Sequence, residues 1–126
     1  MATSSFALDR SPSPEGTELY FISPQNGDTV SGPVTVVFGL KGMGVAPAGV
    51  EKEHTGHNHL LINTGMPALD LPVPADDNHK HFGGGQTEVA LELAPGEHTI
   101  QMVFGDMNHV PFGPQMVSEV ITITVE

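Results

Sequence analysis

Apolar residues recur at every second position through most of this chain, in short runs broken by proline or glycine. Such alternation places one set of side chains on one face of an extended strand. Glu18-Leu-Tyr-Phe-Ile22 is a β-prone run, closed by the turn formers of Ser23-Pro-Gln-Asn-Gly-Asp28. Val34 to Leu40 follows, with Val34, Val36 and Phe38 set to one face. His57 to Asn63 predicts a third strand, with Leu60 and Ile62 opposite His57, His59, Leu61 and Asn63. Thr87 to Leu93 turns Val89, Leu91 and Leu93 inward. After the turn Ala94-Pro-Gly96, His98, Ile100, Met102 and Phe104 share a face, and Val117 to Val125 closes the chain.

Long loops separate these runs. Residues 41–56, 64–78 and 105–115 lack periodicity, and the second holds Pro67, Pro72 and Pro74, which leaves room for at most a brief edge strand near Leu69 to Val73. No helical period exceeds two turns. The pattern predicts an all-β fold, an immunoglobulin-like Greek-key β-sandwich of about seven strands. Residues 1–16, ending in Ser11-Pro-Ser-Pro-Glu-Gly16, predict a flexible lead-in, and residues 17–126 the sandwich domain. His98, in line with Ile100 and Met102, stands where immunoglobulin-like domains often carry a tyrosine that ties a corner to the backbone, so a structural role is expected for it.

The chain has 126 residues, one domain's worth, and no cysteine. Disulfides, thiolate nucleophiles, iron–sulfur clusters and cysteine-ligated zinc or blue copper are therefore excluded. Four basic against fifteen acidic residues give a formal charge of −11, which repels phosphate backbones and attracts cations. Nucleic acid is not an expected partner. No apolar run approaches the roughly 18–20 residues of a membrane span, so no span is expected. Met1 to Arg10 lacks the basic and apolar regions of an export signal, so an exported protein would have lost its signal ahead of this point.

The remaining chemistry lies in histidine. His57 and His59 share a strand face roughly 6–7 Å apart, and His79 and His81 repeat that spacing. If the two segments lie side by side, their imidazoles can converge on one ion, because metal–nitrogen bonds are only about 2.0–2.1 Å long. His109, on the late loop, is a fifth candidate. An all-imidazole set suits copper, zinc, nickel or iron, and the Irving–Williams order favours copper over zinc. The blander alternative is that each ring merely bonds backbone or carboxylate near a strand end. Met43, Met66 and Met107 lie in the long loops, where thioethers favour Cu(I) but more commonly cover a core edge. Asp106, Asp76 and Asp77 are candidates to orient a ligating ring, although Asp76 and Asp77 read more readily as a solvated acidic loop. His54 reads as exposed, and Gly83-Gly84-Gly85 as a tight turn or bulge. Since only neutral imidazole binds metal, affinity is expected to fall as pH drops through about 6.5.

Pro24-Gln-Asn-Gly-Asp-Thr-Val30, Gly42-Met-Gly-Val-Ala-Pro-Ala-Gly49, Gly56-His-Asn-His-Leu-Leu-Ile62, Asn78-His-Lys-His-Phe-Gly-Gly-Gly-Gln86 and Gly105-Asp-Met-Asn-His109 together resemble an uncharacterised bacterial family of small exported domains with paired His-x-His motifs. The resemblance implies a periplasmic or otherwise exported setting. The pairs also look like the metal-binding arrangement of copper–zinc superoxide dismutase, from which this chain departs in lacking cysteine and in having Arg10 as its only arginine. Three functions follow: an exported metal-binding domain, an interaction module docking an envelope protein with structural histidines, or a metal-dependent enzyme. No nucleophile motif, phosphate loop or His-Glu-x-x-His is present, so the enzyme rests wholly on an open metal position and is the least expected.

Overall fold

The computed structural model describes residues 12–68, 71–113 and 116–126. Among these there is no helix, and hence none long and apolar enough to cross a membrane. Nine strands occur in order: β1 (Glu18–Ser23), β2 (Thr29–Val30), β3 (Val34–Lys41), β4 (Gly44–Val45), β5 (Thr55–Ile62), β6 (His79–His81), β7 (Glu88–Leu91), β8 (Gly96–Gly105) and β9 (Ile121–Val125). The six of four or more residues match the six long alternating runs of the sequence. The other three, of two or three residues, are too short to show a period.

One sheet has the order β1-β3-β7, and the other runs β2-β9-β8-β5-β4 with β6 also paired to β5. Taking only the six long strands, the first, second and fourth form one sheet and the third, fifth and sixth form the other. This is the distribution of an immunoglobulin-type sandwich, and it forces the chain to cross between sheets three times. The strand β2 pairs in parallel with β9, whereas β5, β8 and β9 are mutually antiparallel.

Alternation explains the core. Leu19 and Phe21 of β1, and Val34, Val36 and Phe38 of β3, meet Leu60, Ile62, Ile100, Met102, Phe104, Ile121 and Ile123 from the facing sheet. Each such side chain, fully buried, is worth roughly 1.5–3 kcal/mol. Leu91 is buried and Val89 and Leu93 pack against the same core, as their spacing requires.

The closing strand starts later than its pattern predicts. Ser118 Oγ accepts the Met102 N–H at 2.9 Å and donates to the Glu119 carbonyl at 2.8 Å, so a side chain takes one bond of the ladder while the Ser118 N–H still donates to the Met102 carbonyl at 3.0 Å and Val117 makes an isolated bridge to Val103. Of the expected lead-in, residues 1–11 lie outside the described residues, while the Ser13 N–H donates to the Gly113 carbonyl at 2.7 Å. Of the expected edge strand, Leu69 and Asp70 also lie outside them, and 71–73 form no strand.

The unusual strand is β5. Every residue from Gly56 to Ile62 is buried, on both faces. Its inner face joins the main core. Its outer face carries His57, His59 and Leu61 and is covered by the loops after β5 and β8. Leu61, Val73 and Val103 form a small second core there, with Met66 and Val117 against it.

Candidate metal centre

Pairing of β5 with β8 sets Gly105 opposite His57 and Val103 opposite His59. Beyond Gly105 the chain turns back over this face. Asp106 builds the turn, its Oδ1 accepting the N–H groups of Asn108 at 2.8 Å and Val110 at 3.1 Å. The His109 N–H donates to the Asp106 carbonyl at 2.9 Å, and the Asp106 N–H to the Val110 carbonyl at 2.9 Å. Within this turn His109 has φ 65, the left-handed region that costs a non-glycine residue roughly 1–2 kcal/mol. That backbone returns its ring to β5.

The result is a convergence of nitrogens. His109 Nδ1 lies 2.9 Å from His57 Nε2 and 3.1 Å from His59 Nε2. The ligand atoms of the three residues all fall within 4.8 Å of one another, a group that could hold a metal ion. The strand rings are 0 % exposed, and the ring of His109 is half-buried. A neutral imidazole nitrogen has a single in-plane lone pair, so His109 Nδ1 cannot accept well from two rings at once. Meanwhile, among the described residues, Nδ1 of both His57 and His59 is buried without a hydrogen bond of good geometry. Each such buried polar atom costs roughly 1–3 kcal/mol, and ordinary structural networks do not leave several together.

Burial also fixes the charge state. It lowers the pKa of His57 to about 4, helped by the positive charge that His109 and His81 would carry and opposed by Asp106. His59 is lowered to about 2, first by burial and then by His57, His81 and His109, with the Val103 main chain working the other way. His109 is lowered by burial and by His81, again against Asp106. Neutral rings are the form that binds metal. The donor set therefore fits a transition-metal ion.

The structure brings the five sequence candidates together unequally. His81, opposite His59 in the β5–β6 pair, packs its ring 4.5 Å from those of His59 and His109, but its Nε2–H donates to the Pro74 carbonyl at 2.6 Å. It stands outside the three-residue group. His79 donates from Nδ1 to Asp76 Oδ1 at 2.6 Å, a bond that holds the Asp76 carboxyl below its usual range. Among the described residues, no ring contact links His79 to the other four. Asp76 is thus a hydrogen-bonding partner rather than a merely solvated acid.

Other expectations resolve simply. His98 donates from Nε2 to the Ala94 carbonyl at 2.7 Å and accepts at Nδ1 from Asn63 Nδ2 at 3.0 Å, the structural corner its position predicts. Met43 packs on the main core and Met66 on the second one. Met107 lines a groove of about 330 Å³ with His54, Asp106 and Phe112, which none of the clustered histidines lines. Gly83 to Gly85 form a turn, closed by the Gly85 N–H on the Phe82 carbonyl at 3.2 Å.

Two contributors went unread in the sequence. Gly105 leaves space for the His59 ring, since a Cβ there would sit 2.5 Å from His59 Cε1. A glycine directly after the apolar run Met102-Val-Phe104 is the available signal. The Val73–Pro74 main chain, whose Val73 N–H donates to the His109 carbonyl at 2.8 Å, carries no sequence signal.

No curated protein and no solved structure matches the chain. Residues 36–126, most of its length, match the family described as a domain of unknown function, DUF4399, and the protein belongs to that family.

Proposed function

We propose that this domain is an exported copper-binding module in which His57 Nε2, His59 Nε2 and His109 Nδ1 hold the ion. One observation carries the reading: three buried or half-buried neutral rings aim their nitrogens at one another. A cation between them is the one partner that uses all three lone pairs at once. With bonds of about 2.0–2.1 Å, adjacent corners of a square-planar site are about 2.9 Å apart, and tetrahedral corners about 3.3–3.4 Å. The observed 2.9 and 3.1 Å suit adjacent ligands of one ion in either arrangement. The Irving–Williams order favours copper among such ions. An exported setting is supported by the motif resemblance.

Elemental analysis of untagged protein, followed by calorimetric titration with Cu(II) and Zn(II), tests this. The expected result is one ion per chain, copper tighter than zinc, and loss of tight binding in the His57→Ala, His59→Ala double variant. Binding undiminished in the double variant, or no binding to wild type, refutes it; the latter result favours the interaction module.

A further inference from the structure

We infer that His81 supplies a fourth imidazole to the same ion through its Nδ1, oriented by the Pro74 carbonyl. This rests on the metal-binding reading above and goes beyond the three converging residues.

The tautomer of His81 is fixed by its partner. A carbonyl oxygen only accepts, so the nitrogen 2.6 Å from Pro74 O must carry the hydrogen, and the lone pair of the neutral ring is left on Nδ1. A ligating histidine characteristically donates its other N–H to a carbonyl or carboxylate, which sets the ring's orientation and raises its basicity. Among the described residues, neither buried strand ring has such a bond of good geometry at Nδ1. Among the rings of this cluster, His81 has the bond expected of a ligand's outer nitrogen.

Its placement agrees. Pairing of β6 with β5 sets His81 opposite His59, and the rings stand edge to face at 82° with centroids 4.5 Å apart. The ring of His109 is equally near, at 4.5 Å. The same two-residue strap serves both, since the Val73 N–H holds the His109 carbonyl and the next residue holds His81. His81 lies outside the 4.8 Å group as the rings stand, so engagement requires its ring to move inward. It can do so more readily than its neighbours, being half-buried on a three-residue strand, whereas His57 and His59 are fully enclosed.

The consequence is functional. A fourth nitrogen completes a tetrahedral zinc site, whereas on Cu(II) it completes the equatorial set and leaves the axial positions free. Four imidazoles therefore tighten the hold on copper.

Wild type, His81→Ala, His81→Gln and His79→Ala should be loaded with one equivalent of Cu(II), their affinities measured by chelator competition and their nitrogen hyperfine couplings by electron paramagnetic resonance. Both His81 variants are expected to bind about tenfold or more weakly with fewer coupled nitrogens, since even outer partners of metal ligands are worth about 10–100-fold. His81→Gln retains a side-chain donor for Pro74, so it decides the matter if the alanine variant fails to fold. His79→Ala should stay within about twofold of wild type. Wild-type affinity and spectrum in both His81 variants, or an equal loss in His79→Ala, overturns the fourth ligand and leaves the triad standing. Wild type that takes up no copper overturns both readings.

Discussion

Strand β8 begins beside one kind of histidine and ends beside another. Near its start His98 has each nitrogen matched once, Nε2–H to the Ala94 carbonyl and Nδ1 from the Asn63 amide. Near its end, Val103 and Gly105 face two fully buried rings whose nitrogens meet a third ring. The first arrangement is satisfied within the protein and ties a corner. The second offers more lone pairs than protein donors can use, which is the shape of a cation site. Residue type is the same in both; the count of partners per nitrogen separates them.

Acid should break the comparison most strongly. In the unfolded chain each histidine takes a proton near 6.5, but folded His57 does so only near 4 and His59 near 2. Below 6.5 the unfolded state therefore binds more protons than the folded one. Stability is fully present above 6.5 and is lost as pH falls from there towards 4. The slope is up to roughly 1.4 kcal/mol per pH unit for each ring, and the His57 span alone amounts to on the order of 3 kcal/mol. Denaturant unfolding of chelator-treated protein at about pH 7, 6 and 5 should show it. A flat wild-type profile would mean that burial does not hold these rings neutral. Proton competition for copper at His57 and His59 should likewise set in well below 6.5.

Next in size is Gly105→Ala. The new Cβ would fall 2.5 Å from His59 Cε1, 3.1 Å from its Nδ1 and 3.3 Å from the His109 carbonyl carbon. The neighbours are an enclosed ring and backbone, so neither can swing aside cheaply. Overpacking of this kind costs about 1–3 kcal/mol. It should also spread the three nitrogens and weaken copper, leaving the His98 corner untouched. Thermal unfolding together with copper competition checks both, and unchanged affinity would show that the close approach of Gly105 does not set the cluster's geometry.

The two histidine environments were not equally legible beforehand. His98 could be read from chain position alone, because alternation with Ile100 and Met102 and the preceding Pro95-Gly96 fix where its ring enters. For the cluster, alternation gave the shared face of His57 and His59, and nothing local gave the rest. The meeting of His81 with His59 depends on β6, whose three residues are too short to show a period. His79 and His81 look identical in the sequence, and only the nearby Asp76 carboxylate and Pro74 carbonyl send their nitrogens to different partners. The loops followed the same logic: apolar spacing marks a strand, whereas the turn that Asp106 builds depends on side-chain bonds with no period.

His98→Ala sharpens the contrast from the satisfied side. It removes the donor to Ala94 and the acceptor for Asn63, which should lower stability by about 1–3 kcal/mol, towards the smaller value because the site is only half-buried. Copper affinity should stay within about twofold of wild type. Unaltered stability with lost affinity would reverse the roles assigned to the two ends of β8.

The smallest effect makes the cleanest control. His54 and His109 share a left-handed backbone, with φ 58 and 65. Glycine relieves that conformation by roughly 1–2 kcal/mol, against about 0.4–1 kcal/mol of added unfolded-chain entropy. His54 is exposed, lines the neighbouring groove and stands outside the converging set. His54→Gly should therefore leave stability equal or raised, by up to about 1.6 kcal/mol, and copper affinity unchanged. His109→Gly relaxes the backbone in the same way but removes the nitrogen on which both strand rings converge, so affinity should fall by about tenfold or more. Because the backbone effect is common to both variants, the difference between their affinities isolates the imidazole. Equal losses would place His54 and its groove within the metal site and redraw its boundary.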